Sequence, residues 1–304
     1  MAITVTQANF NGKSAGFFIS AALKASNSLD YMTSIENIKY KSNVQALNQT
    51  VDSIANASCD FDQAGTLALT EKVLEPKNLQ VNLQLCKEDM LDSWEALQMR
   101  AGAGGGPSAT FEDYIISYMG SIIAERTEND IWEGTAVAGH FNGFLGLVTG
   151  LLLPGVDGSV VQDAAAAVPY TAGNIISNLQ SAVENIPSQT LGKEDLHIYI
   201  NQKAYQYYIG AVSTLGYVNM YQMNDTYVPM FEGYKLAVCN GMADNQMVVA
   251  QTSNLFFGTD LLSDSTRISL LDMAPLDGSD NIRLVCKYSA GVQTGTGADI
   301  VRQS

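Results

Sequence analysis

Positive charge is the first thing this chain is short of. Its 304 residues carry 16 Lys and Arg against 31 Asp and Glu, a formal net charge of −15. Charged residues are only 15% of the total, against roughly 25% in an average globular domain. A nucleic-acid binder is disfavoured, because affinity for the phosphate backbone comes from Lys and Arg. Disorder is excluded as well: apolar residues make up 46%, whereas disordered chains are highly charged and poor in them. The surface must be finished with Asn, Gln, Ser, Thr and Gly. At this length the chain exceeds the roughly 250–300 residues one core serves, so two domains are expected.

Histidine and cysteine are also sparse. The two histidines, His140 and His197, are far apart, and Cys59, Cys86, Cys239 and Cys286 form no CxxC pair. Zinc-site spacing is therefore missing. The thiols are expected to be reduced, in a protein that stays in the cytoplasm. A Ser/His/Asp triad needs a histidine and a nucleophile elbow; no GxSxG occurs, and each histidine is expected to be a hydrogen-bonded structural residue. Adjacent acids such as Glu88 and Asp89, Glu112 and Asp113, or Glu194 and Asp195 point apart and make no shared site. No calcium-loop pattern occurs. The glycine-rich stretch 101–107 fails the dinucleotide fingerprint because its sixth position is Pro107, and Gly12-Lys13-Ser14 has Gln7 where a Walker motif needs glycine. No catalytic, cofactor or metal site is expected, and the inventory points to a structural or assembly protein.

Long hydrophobic runs are missing too. The longest, 141–154, is broken by Asn142, Gly143, Gly146, Gly150 and Pro154 and falls short of the about 20 residues a membrane helix needs. It reads as a buried, turn-rich segment. The first twenty residues lack a signal-peptide h-region. No membrane association is expected.

What is present has a clear order. Residues 16–29 read as a short helix and 35–51 as an extended strand. A polar loop tip follows at 53–65, with Asp60, Asp62 and Gln63. Leu79, Val81, Leu83 and Leu85 then alternate with Gln80, Asn82, Gln84 and Cys86, the period of a half-buried strand. Two strands around the tip make a long hairpin; with the tip near Asp62, Cys86 is expected to pair with residues near Tyr40. After the 101–107 linker, Thr110 caps a long helix. Phe111, Ile115, Tyr118, Met119, Ile122 and Ile123 share one stripe, and the pattern runs to about Ile131. Between Glu112 and Glu133 lie six acids and one base, Arg126. No Lys or Arg follows Arg126 until Lys193, and a second domain of small residues is expected there. It holds a helix at 175–186, capped by Thr171 and stopped by Pro187, a short strand at 196–200, and a helix from the Asn201 cap to Val212. That last helix is rich in Tyr205, Tyr207 and Tyr208, read as core packing or subunit contact. The final third reads as strands: a hairpin of 235–239 with 247–251 around Asn240-Gly241, then 267–273 and 281–292 joined by a turn.

This order resembles the major capsid protein of tailed bacteriophages, the Hong Kong 97-type fold. The residues that carry the resemblance are Asn129-Asp130-Ile131-Trp132-Glu133-Gly134 at the helix end and Phe141-Asn142-Gly143-Phe144-Leu145-Gly146 after it. To these add the Leu/Thr-rich strand at 66–73, the strand at 79–85 followed by Cys86-Lys87-Glu88-Asp89-Met90, Asn254-Leu255-Phe256-Phe257-Gly258-Thr259-Asp260, and the closing strand at 281–290. The resemblance covers essentially the whole chain.

The resemblance implies an α+β fold in four parts. Residues 1–35 would be an N-terminal arm and short helix, and 36–90 an extended hairpin loop reaching over a neighbouring subunit. Residues 91–139 and 261–304 would form a discontinuous peripheral domain with a spine helix at about 110–132, and 140–260 an axial domain. It implies a homo-oligomer: pentamers and hexamers assembled in the bacterial host cytoplasm into the icosahedral head shell of a virion. The shell encloses double-stranded DNA without reading its sequence. A long N-terminal scaffolding extension is not expected, so a separate scaffolding protein is, with a portal and decoration proteins as further partners. Asp60, Asp62, Gln63, Lys72, Lys77, Trp132, Tyr205 and Tyr208 are the candidate inter-subunit contacts. Two alternatives stay open: an encapsulin-like compartment with an enzyme cargo, and a metabolic enzyme with an unrecognised site.

Overall fold

The computed structural model describes residues 27–49, 56–57, 59, 67–86, 109–163, 168–214, 229–260, 268–273, 276 and 278–303. The expected tip residues Asp60, Asp62 and Gln63, the 101–107 linker and most of the 16–29 helix lie outside them. Ser28–Tyr31 is a single 3₁₀ turn. The strands β1 (Thr33–Ile35), β2 (Ser42–Gln49), β3 (Leu67–Leu74) and β4 (Lys77–Cys86) follow. The long helix α1 spans Ala109–Glu133, close to the expected span. Then come β5 (Val161–Asp163), α2 (Ile175–Glu184), β6 (Leu196–Ile200), α3 (Gln202–Thr214), β7 (Met230–Phe231), β8 (Tyr234–Val238) and β9 (Met247–Gln251). The chain closes with β10 (Leu255–Gly258), β11 (Ile268–Asp272), β12 (Asn281–Thr294) and β13 (Val301–Gln303).

Among the described residues there are three sheets. In one of them β2 pairs with β3, in register Ser42 to Leu74 through Gln49 to Leu67. This is the hairpin. β4 is not part of it: the chain breaks at Glu75-Pro76, where proline cannot donate a ladder hydrogen bond, and β4 pairs antiparallel with β12. Cys86 therefore lies opposite Asn281, and not beside the residues near Tyr40. The five-stranded sheet is completed by β1, β10 and β11 around the 14-residue β12. All four cysteines are free thiols.

The six-stranded sheet runs β5-β13-β9-β6-β8-β7. The expected hairpin of β8 with β9 is not formed, because β6 lies between them, parallel to β8 and antiparallel to β9. Every residue of β6 and of β9 is buried, since the sheet is covered on both faces. Ile198, Ile200 and Val249 face one core with Ile175 and Leu179 of α2 and Ala204 and Tyr208 of α3. Tyr199, Val248 and Ala250 face a second core with Ile131 and Trp132 of α1 and Phe141, Phe144 and Leu152. A two-sided sheet reads as a continuous apolar run, with no polar alternation.

The caps are local. Asn201 Oδ1 accepts from Ala204 N–H at 2.7 Å, as its sequence position requires. The cap residue of α2 is Asn174 rather than Thr171; the Thr171 carbonyl accepts from Asn174 and Ile175 in the turn before it. Sheet membership also cuts across the expected segment boundaries. Thr33–Ile35, Lys77–Cys86 and Leu255–Gly258 lie in the five-stranded sheet, while Val301–Gln303 inserts between β5 and β9 in the six-stranded one.

Candidate assembly site

The β2–β3 hairpin has a face that its own subunit does not cover. Residues directly opposite in an antiparallel pair share a face. One face carries Ser42, Val44, Ala46, Lys72 and Leu74 and is half-buried to buried, apart from exposed Thr70 at its outer end. The other carries Asn43, Gln45, Glu71, Val73 and Leu69, all exposed; Leu69 is 57% and Val73 44% accessible. On that face Glu71 accepts from Asn43 Nδ2 at 3.3 Å and Gln45 Nε2 at 2.9 Å. A two-stranded ribbon alone is marginal in water, so this hairpin depends on what it is fastened to.

The fastening is concentrated at its root. Leu74 is fully buried and Ile38 nearly so. Both pack over Gly258, where a side chain would collide with them. Gln293 Nε2 donates to the Val73 carbonyl at 2.8 Å. Lys72 Nζ lies 2.6 Å from Asp157 Oδ2 and 3.0 Å from Thr294 Oγ1. Burial pushes the Asp157 carboxyl up, but the hydrogen bonds from Lys72 and Ser159 outweigh it and hold it below the usual carboxylate range. Lys39 pairs with Asp260 and Lys41 with Glu75. Lys77 Nζ donates to three carbonyls, His140 at 3.0 Å, Ala136 at 3.2 Å and Val137 at 3.3 Å. These belong to the turn after α1, in which Ala136 takes a left-handed conformation at φ 57°.

The end of α1 is fixed by buried polar groups. Glu128 is 0% exposed. It accepts from Ser28 N–H at 3.1 Å, from Ser28 Oγ and from Gly241 N–H at 3.2 Å. Trp132 Nε1 donates to Ser28 Oγ at 2.7 Å. Gly241 must be glycine, since a Cβ there would overlap the Glu128 carbonyl. Next to this cluster, Asp130 accepts from His140 Nδ1 at 2.7 Å, and burial holds its carboxyl above the usual range against the pull of His140 and Arg126. His197 Nδ1 meets the Asp195 carbonyl at 2.9 Å. Among the described residues no cluster of three His, Cys, Asp or Glu could hold a metal, and no helix is long and apolar enough to cross a membrane.

The candidate contacts divide. Trp132 is 0% exposed and lies between Phe144 and Tyr199, at 5.6 and 5.5 Å between ring centroids. It is enclosed by its own subunit and has no surface for another. Tyr208 is also core, edge-on to Phe231, with its hydroxyl donating to the Met230 carbonyl at 3.1 Å. Tyr205 is half-buried against the same core. Lys72 and Lys77 hold the hairpin root within the subunit, and Lys77 begins β4 instead of lying on the hairpin. The root anchors Asp157, Gln293 and Gly258 carried no sequence signal of their own, because each acts on a strand distant in the chain.

No family model matches the sequence, and no curated protein matches it. The fold does have solved counterparts, several of them titled as capsids. The structure is similar to a chain titled as the capsid of a native GTA particle, at 14% identity and TM-score 0.61, covering 99% of this chain and 97% of that one. The capsid of an empty GTA particle gives 11% identity and TM-score 0.60, over 96% and 94% of the two chains. The capsid of the cyanophage P-SCSP1u gives 13% and 0.58, over 96% and 92%. At these identities the likeness is one of fold. The chain has the α+β, Hong Kong 97-type fold of these capsid chains.

Proposed function

We propose that the chain is a major capsid protein. It self-assembles as pentamers and hexamers into an icosahedral head shell around double-stranded phage DNA. The observation that carries this reading is the match of fold over nearly the full length of both chains to subunits of capsids. A hairpin with one uncovered face, fastened at its root among the described residues, supports it. In this reading 1–35 form the arm and 36–90 the extended loop, with Asp60, Asp62 and Gln63 at its contacting tip. Residues 91–139 and 261–304, with α1 as spine, form the peripheral domain, and 140–260 the axial domain. The five-stranded sheet, which also takes in β1, β4 and β10, supports the first of these domains, and the six-stranded sheet, which also takes in β13, the second. A scaffolding protein, a portal and decoration proteins are the expected partners, and the virion is the expected location.

Electron microscopy of the chain co-expressed with its neighbouring assembly genes tests the proposal. Closed shells of uniform diameter built from five- and six-membered rings are expected. A protein that remains monomeric under every assembly condition overturns it. Shells holding an enzyme in place of DNA would make it a compartment protein instead.

A further inference from the structure

Arg126, the one base between Glu112 and Glu133, meets a histidine at its tip. Its Nη2 lies against His140 Nε2, and its Nε is 3.7 Å from Asp130 Oδ2. On the other side of the same ring, His140 Nδ1 is 2.7 Å from Asp130 Oδ1. The three side chains close a triangle near the end of α1. They differ in access: Asp130 is 4% exposed, His140 25% and Arg126 49%.

The hydrogens in this triangle can be assigned from its geometry. A guanidinium has five donors and no acceptor. The ring nitrogen that faces it must offer a lone pair, so Nε2 carries no proton. The ring proton then sits on Nδ1, which donates it to Asp130, and His140 is neutral. A second ring proton has no place here. It would set an Nε2–H against the donors of Arg126 and bring two cations into contact. The bond to Asp130 survives such protonation and becomes charge-assisted at both ends. Asp130 is enclosed and stays, whereas Arg126 is half in solvent and can leave. Histidine is the side chain whose ordinary charge change falls between about pH 5 and 8.

The neighbouring groups do not compete for the ring. Tyr288 of β12 stands beside Asp130 and Arg126, and burial pushes its hydroxyl above its ordinary range, so it stays neutral. Lys77 of β4 donates to the His140 carbonyl and not to the ring. That carbonyl carries the effect onward. With those of Ala136 and Val137 it forms the cup that receives Lys77, and the His140 ring ties that turn to α1.

We infer that His140 is a proton-operated latch: neutral, it binds Asp130 and Arg126 together; protonated, it keeps Asp130 and releases Arg126 to solvent. Acid thereby frees a cation at a point after which the chain has no Lys or Arg until Lys193. All three residues belong to one subunit, so the inference stands apart from the capsid reading.

A chain with two histidines suits a test by ring-nitrogen NMR. Full-length protein carrying ¹⁵N in histidine and arginine is titrated from about pH 8 downward through the histidine range. The variants His140→Gln and Arg126→Met assign the signals. At the alkaline end His140 should hold a proton on Nδ1 and none on Nε2. As Nε2 gains its proton, the Arg126 side-chain N–H groups should begin to exchange with water at the same midpoint. Arg126→Met should raise the His140 midpoint by roughly half a pH unit or more, because a neighbouring cation opposes protonation. A proton on Nε2 at the alkaline end, Arg126 exchange that ignores the His140 titration, or an unmoved midpoint in Arg126→Met overturns the inference.

Discussion

Lys72 and Asp157 join the hairpin to the body of the subunit: Nζ and Oδ2 are 2.6 Å apart across 85 residues of sequence. Lys72 sits two residues from the root end of β3, and Asp157 in the turn before β5. The pair fixes the angle at which the hairpin leaves its root. It does so with side chains that are 31% and 16% exposed, so solvent screens it in part.

Replacing Lys72 with Met should therefore loosen the hairpin without unfolding the subunit. A loss of about 0.5–1 kcal/mol is expected for a partly exposed pair. Hydrogen exchange should speed up at the β2 and β3 amides and stay unchanged in β6 and β9.

The same contact is expected to depend on pH. The folded carboxyl of Asp157 titrates below its value in the unfolded chain, near about 3.9. Its stabilisation is thus present above that value and is lost as the pH falls through the lower folded one. Urea midpoints measured from about pH 6 down to about pH 3 check this. Asp157→Asn should lower the midpoint at the neutral end and leave a shallower acid slope.

The uncovered hairpin face separates assembly from folding. Leu69→Gln combined with Val73→Thr changes two exposed positions, so subunit stability should move by no more than about 0.5 kcal/mol per site. Particle yield should fall. Deleting 53–65 should act the same way, and particles of normal yield and heat resistance would count against the hairpin's role.

The buried end of α1 should behave oppositely. Trp132→Ala empties a site that is 0% exposed and should cost about 3–5 kcal/mol. Glu128→Ala strips the acceptor from the Ser28 and Gly241 amides; bonds to a charged group are worth about 1.5–3 kcal/mol each. Both variants should appear as less stable monomers in thermal unfolding before any assembly is tried.

Much of the local structure was legible. The alternation of Leu79 to Leu85 gave β4, the acidic amphipathic pattern gave α1, and Asn201 marked the start of α3. The hairpin root was not legible, because Lys72, Lys77 and Gly258 act on partners far along the chain. Trp132 stood among the candidate contacts that the resemblance implied, with nothing local to mark it as core. The same stretch is in fact enclosed by Phe144 and Tyr199.

The sequence alone determined most of the extended and helical segments and the start of α3 at Asn201. Those properties rest on side-chain periodicity and on capping groups within a few residues. The tertiary structure decided the pairings. β4 joined β12 and left the first strand, β6 separated β8 from β9, and β13 entered the six-stranded sheet from the far end of the chain. A strand's period states which face it buries and says nothing of its neighbour, since any free edge offers the same backbone donors and acceptors. Only the packing of two cores on opposite faces of one sheet selects among those edges.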